Sequence, residues 1–135
     1  MTSRLPHVVL IVEHHELLNS LTADIMEEAG FTALQASGAD EALAILESRS
    51  DIAVLLTSVT MPGRMDGLGL AHRVSKLWPG IKIIIASSQD RLMGSNLPSG
   101  SRFFLKPYHS QVMISEIHAM IGPQTEIRSV ERLLV

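Results

Sequence analysis

A doubly wound α/β domain, one parallel sheet between two layers of helices, is the fold class this sequence predicts. Three observations carry that reading. Five short apolar runs recur at roughly even spacing, they do not alternate with polar residues, and most segments between them repeat apolar residues at helical intervals. Unalternating β-branched runs are strands buried on both faces, which requires helices on each side of a parallel sheet. Length agrees, because 135 residues make one domain of the usual size, about 100–150 residues.

The first run, His7 to Val12, contains Val8-Val9-Leu10-Ile11-Val12. Beyond it, Leu17, Leu21 and Ile25, with Leu18 and Ala29 beside them, form the expected buried stripe of a first helix, and Gly30 sits at the C′ position. Phe31 to Ala36 is the second strand. Ser37-Gly38-Ala39-Asp40 reads as a capping box, with Ala42, Leu43 and Leu46 following on one face. The third strand is Ile52 to Leu56. Leu70, Val74 and Leu77 mark a third helix that Pro79-Gly80 stops. The fourth strand, Ile81 to Ala86, holds Ile83-Ile84-Ile85. Gly94, Pro98 and Gly100 leave room for about two turns between Gln89 and Asn96, so the next helix is expected to be short or irregular. Phe103 to Leu105 is the fifth strand. Ser110 is then a candidate cap for a last helix whose stripe is Met113, Ile114, Ile117, Met120 and Ile121.

The domain is thus placed at residues 5–121, with a tail at 122–135. In the tail Ile127, Val130 and Leu134 keep helical spacing, with Arg128 and Arg132 on another face. It reads as an amphipathic extension lying on the domain, the alternatives being a dimerisation segment or the stub of a linker to an output domain.

Composition narrows the function. The chain is 46% hydrophobic and 19% charged, enough to build one core and too apolar for disorder. Eleven basic against 14 acidic residues give a net charge of −3, with no basic block, which argues against nucleic-acid binding. No cysteine is present, which removes disulfides, thiol catalysis and thiolate metal sites. The run from Val8 to Val12 is too short to span a bilayer and ends in Glu13-His14-His15-Glu16, so neither a signal peptide nor a membrane anchor fits. A cytoplasmic, single-domain protein is expected.

Ligands of doubly wound sheets bind outside the carboxyl ends of the strands. Those ends are Glu13-His14, Thr57-Ser58, Ala86-Ser87 and Lys106-Pro107. The sequence around them resembles the receiver domain of two-component response regulators. The resemblance is carried by Val8 to Glu13, Glu27 to Phe31, Asp40 to Leu43, Leu55 to Gly63 with Met65-Asp66-Gly67, and Phe103 to Pro107. It covers about residues 5 to 121. It implies a flavodoxin-like (βα)5 fold with strand order 2-1-3-4-5, and a place in phosphorelay signal transduction.

In that family an aspartate after the third strand accepts a phosphoryl group from a histidine kinase, and an acidic pair after the first strand holds Mg²⁺. A Thr or Ser after the fourth strand senses the phosphate, and a Lys after the fifth pairs with it. A divalent cation offsets charge on nucleophile and phosphoryl oxygens, and hard cations want oxygen ligands. Carried over, the acceptor position holds Ser58 and the acidic pair reads Glu13 then His14. The sensing position aligns with Ala86, beside Ser87. Glu13, Lys106 and Pro107 keep the pattern. The resemblance therefore implies an atypical, stand-alone pseudo-receiver with its Mg²⁺ site lost and no cofactor. It would be a non-enzyme acting by protein–protein binding.

Expected partners are a histidine kinase or another response regulator. A homodimer through the face of the fourth helix, fifth strand and fifth helix, or through the tail, is also compatible. Neither nucleic acid nor membrane is an expected partner.

Other readings of the residues fit less well. Asp51 starts the third strand, seven residues and roughly 20 Å from Ser58; Asp66 suits a helix N-terminus; Asp90 has no evident geometry. None replaces the acceptor. Lacking that carboxylate, Lys106 is expected to turn to Glu13. A small hydrolase using Ser58 as nucleophile and His14 as base is the alternative, although no G-x-S-x-G elbow surrounds Ser58. His14 and His15 with Glu13 and Glu16 look like a metal cluster, but neighbouring side chains at a strand end point apart. His7, His72, His109 and His118 are scattered and suit the surface.

Overall fold

The computed structural model describes residues 7–89 and 96–122. Five strands form one sheet: β1 (Val8–Val12), β2 (Thr32–Ala36), β3 (Ile52–Ser58), β4 (Lys82–Ser87) and β5 (Arg102–Leu105). All pairings are parallel and the order is β2-β1-β3-β4-β5. Four helices lie among the described residues: α1 (Glu16–Glu28), α2 (Ala39–Ser48), α3 (Gly67–Leu77) and α4 (Ser110–Ile121). The fold class and strand order are those predicted, and the described elements follow the predicted sequence. The irregular helix expected between Gln89 and Asn96, and the tail after Gly122, lie outside the described residues.

Two apolar layers sandwich the sheet because its strands present apolar side chains on both faces. On one face Leu10, Leu55 and Ile85 pack with Ala42, Leu46, Leu70 and Val74 from α2 and α3. On the other Val9, Ile11, Leu56 and Ile84 meet Ala23 and Met26 of α1 and Met113 and Ile117 of α4. β3 is paired on both sides and runs to Ser58, two residues past the predicted end, so Ser58 is fixed by the ladder.

Three local expectations are corrected. The first half of the stripe assigned to the core side of α1 faces outward: Leu17, Leu18 and Leu21 are 61%, 43% and 48% exposed, Ile25 is half-buried and Ala29 packs against the core, whereas Asn19, Ala23 and Met26 are buried. The inward position is taken by Asn19, whose amide donates to the carbonyls of Glu13 and Ala36 at the strand ends. At the start of α2 the N-cap is Gly38, not Ser37, and the acid that reaches back is Glu41, not Asp40. Its Oε1 accepts from the backbone N–H of Ser37 at 2.8 Å and from its hydroxyl at 3.0 Å. At the start of α4 the N-cap is His109, without a side-chain cap bond, and Ser110 is the first helical residue.

Gly30 has φ 97°, the left-handed conformation that ends α1 as expected. Asp66 caps α3 by accepting from the Gly69 N–H at 2.9 Å.

The close approach that matters most is at Gly67. Its N–H donates to the Val59 carbonyl at 2.8 Å, and a Cβ there would lie 1.6 Å from the Ser58 carbonyl oxygen. Gly67→Ala must therefore push α3 off the end of β3. We expect a loss of at least about 1–3 kcal/mol, the usual cost of overpacking, read as a lowered urea midpoint with unchanged slope.

Candidate functional site

The carboxyl ends of β1, β3 and β5 converge on one cluster. Glu13 follows β1, held by its N–H to the Ala36 carbonyl at 3.0 Å, and is 8% exposed. Ser58 ends β3 and is 7% exposed. Lys106 follows β5, with its N–H on the Ser87 carbonyl at 2.8 Å. Parallel strands place their carboxyl ends on one edge, which is how residues far apart in sequence meet.

The three side chains satisfy one another. The Ser58 hydroxyl donates to Glu13 Oε1 in a short hydrogen bond. The Lys106 ammonium donates to the same oxygen at 3.0 Å and to Ser58 Oγ at 3.1 Å. The His15 N–H donates to Glu13 Oε2 at 3.0 Å. Lys106 and Glu13 thus make the pair expected from the family resemblance. Burial alone would push the Glu13 carboxyl up, but the Ser58 hydroxyl, the His15 N–H and the ammonium outweigh it and hold its pKa below the ordinary value. Tyr108, nearby, is pushed up chiefly by burial and further by the negative Glu13, against a lowering hydrogen bond with Thr22.

A second layer, missed in the sequence, supports Glu13. Buried Asn19 donates its amide to the Glu13 carbonyl at 2.8 Å and the Ala36 carbonyl at 3.0 Å, and accepts from Gln35 Nε2 at 2.8 Å. Orphaned carbonyls at a buried strand end are costly, so the helix spends a core position on a polar residue. The only available signal was a polar residue interrupting an apolar helix.

Other singled-out residues lie apart from this cluster or at its margin. His14 is exposed, with Nδ1 3.6 Å from Glu13 Oε2. The Ser58–His14 bond that a hydrolase requires is not formed; the hydroxyl is committed to Glu13 and Lys106. The Nδ1 of His15 caps α1 by accepting from the Leu18 N–H. Ala86 pairs with Ser58 across β3 and β4. Ser87 is buried, and its Oγ accepts from the Gln89 N–H at 3.1 Å. Pro107 follows Lys106 through a cis peptide bond.

Asp51 is paired with Arg49 at 2.7 Å, and Asp90 lies outside the described residues. His72 bonds the Asn96 carbonyl at 2.9 Å, and His118 packs on Phe31 with ring centroids 5.4 Å apart. Among the described residues no three His, Asp or Glu side chains are grouped to share a metal ion, and no helix is long and apolar enough to cross a membrane.

The family profile described as the response regulator receiver domain matches residues 9–118. A response regulator of Rickettsia bellii termed NtrX-like is 34% identical over 79 residues, 58% of this chain and 16% of that protein. The response regulator receiver protein CpdR of Brucella abortus is 25% identical over 116 residues, 84% of this chain and 95% of that one. Among solved structures, a CheY-like receiver domain protein of Methanospirillum hungatei superposes with a TM-score of 0.80 at 26% identity, covering 90% of this chain and 98% of that one. The chain therefore spans a small part of some relatives and nearly all of others.

The depressed Glu13 pKa has a definite sign in stability. A folded-state pKa below the unfolded value, about 4.5, stabilises fully above that value and ceases to do so as pH falls through the folded pKa. Glu13→Gln is expected to cost about 1.5–3 kcal/mol at neutral pH, the range for hydrogen bonds to a charged group. The deficit should stay constant from pH 6 to 8 and shrink below about 4.5. Urea unfolding of both proteins across that range checks it.

Proposed function

The chain belongs to the family of response regulator receiver domains, and from that premise we propose that it signals by protein–protein binding without aspartate phosphorylation. One observation carries the reading. At the end of β3, where the family's acceptor aspartate stands, this chain has Ser58, and its hydroxyl is already held by Glu13 and Lys106. A serine hydroxyl is a poor nucleophile unless a base activates it. Here the hydroxyl donates to the Glu13 carboxylate, whose basicity is lowered by that same hydroxyl, the His15 N–H and the Lys106 ammonium.

The donor set does not fit Mg²⁺. A hard dication of this size seeks several oxygen ligands in near-octahedral array. The site offers one carboxylate, and both its oxygens accept hydrogen bonds, one from an ammonium group. His14 supplies no oxygen ligand where the family has its second acid. With Ser58 in place of the acceptor, two of the three carboxylates that would neutralise a divalent ion are replaced.

Histidine kinases and other response regulators are the partners this reading favours. Support comes from the surface: Leu105 of edge strand β5 and Val112 of α4 are exposed large apolar residues, as are the three leucines of α1. Exposed apolar clusters mark interaction sites more often than they mark ordinary surface.

Incubation with acetyl phosphate and Mg²⁺ followed by intact-mass measurement should leave the mass unchanged. Stoichiometric, base-labile phosphorylation would overturn the reading. Complexes with purified kinase or receiver partners should form equally well with and without the phosphoryl donor.

A further inference from the structure

We infer that the cavity between α1 and the β5–α4 connection is a binding site for a small neutral molecule with an apolar body and a terminal carbonyl oxygen. The cavity measures about 490 Å³, within the range of small-molecule sites, about 300–1,000 Å³. Its walls are apolar, formed by Ile11 and Leu56 from the sheet, Leu18, Leu21 and Ile25 from α1, and Tyr108. Glu13, Ser58 and Lys106 form its charged end, with the hydroxyl residues Thr22, Thr57, Ser88 and Ser110 also in the lining.

The valences at that end select the head group. An ammonium has three donors, and Lys106 uses two, on Glu13 Oε1 and Ser58 Oγ. One N–H remains for an occupant. Glu13 Oε1 already accepts from both Ser58 and Lys106, and Oε2 from the His15 N–H, whereas the ammonium keeps a donor, which favours an acceptor as the head group. Charge decides between acceptors. A carboxylate beside Lys106 would also stand beside the buried negative Glu13, and like charges at such range repel. A cation would meet the ammonium. A neutral carbonyl takes the free N–H as a charge-assisted hydrogen bond and meets neither repulsion. The body of the molecule would cover Leu18 and Leu21, which are 43% and 48% exposed, and removing that area from water favours binding. The inference does not rest on the phosphorylation-free reading, and its test uses no phosphoryl donor.

Three nonyl probes separate the head groups: 2-nonanone, nonanoate and nonylammonium, titrated calorimetrically into the full chain at neutral pH. We expect saturable one-to-one binding of 2-nonanone, with the two ions at least tenfold weaker. Leu18→Trp and Leu21→Trp, both at exposed positions that a larger side chain can occupy without entering the core, should each weaken the ketone at least tenfold while thermal unfolding stays cooperative. Absence of saturable 2-nonanone binding, equal binding of all three probes, or ketone binding that survives both tryptophans would overturn the inference.

Discussion

The bond between the Lys106 ammonium and the Glu13 carboxylate is the constraint on which the rest of this site depends. A carboxylate that is 8% exposed cannot stay charged without compensation, since desolvation of an ion is costly. The compensation is intramolecular: one ammonium, one hydroxyl and one backbone N–H, all supplied by the chain. The pocket is thus electrically complete as it stands. On the receiver scaffold, the carboxyl ends of the first and last strands thus carry opposite charges that neutralise each other.

Two further features hold that pair in register. Asn19 ties α1 to the ends of β1 and β2 through two carbonyls, and Gly67 lets α3 sit directly against the end of β3. Both act on backbone rather than on the charged side chains. Precision at the site comes from the strand ends, and strand ends are positioned by the helices that follow them.

The sheet was readable in the sequence because strands buried on both faces leave unbroken apolar runs, as in Val8–Val12 and Ile83–Ile85. Helix faces were less so. Counting leucines along α1 finds Leu17 and Leu21, yet the core side holds Asn19, whose amide meets a hydrogen-bonding requirement at the strand ends that leucine spacing does not register. Glu41 was likewise hidden, since the capping pattern was sought one residue too early. Glu13, Ser58 and Lys106 were named through resemblance to a family; apolar periodicity carries no information about which polar ends meet. That Ser58 bonds Glu13 rather than His14 became visible only with coordinates.

Glu13 and Lys106 are 93 positions apart. During synthesis the acid therefore leaves the ribosome long before its countercharge exists, and β1 cannot bury that end until nearly the whole domain has been translated. The entropic cost of closing a loop rises only slowly with its length, so the contact can couple the first strand of the domain directly to the last. Fraying of the short edge strand β5 would likewise strip a buried acid of its partner. The two ends of the domain are thereby bound into a single cooperative unit.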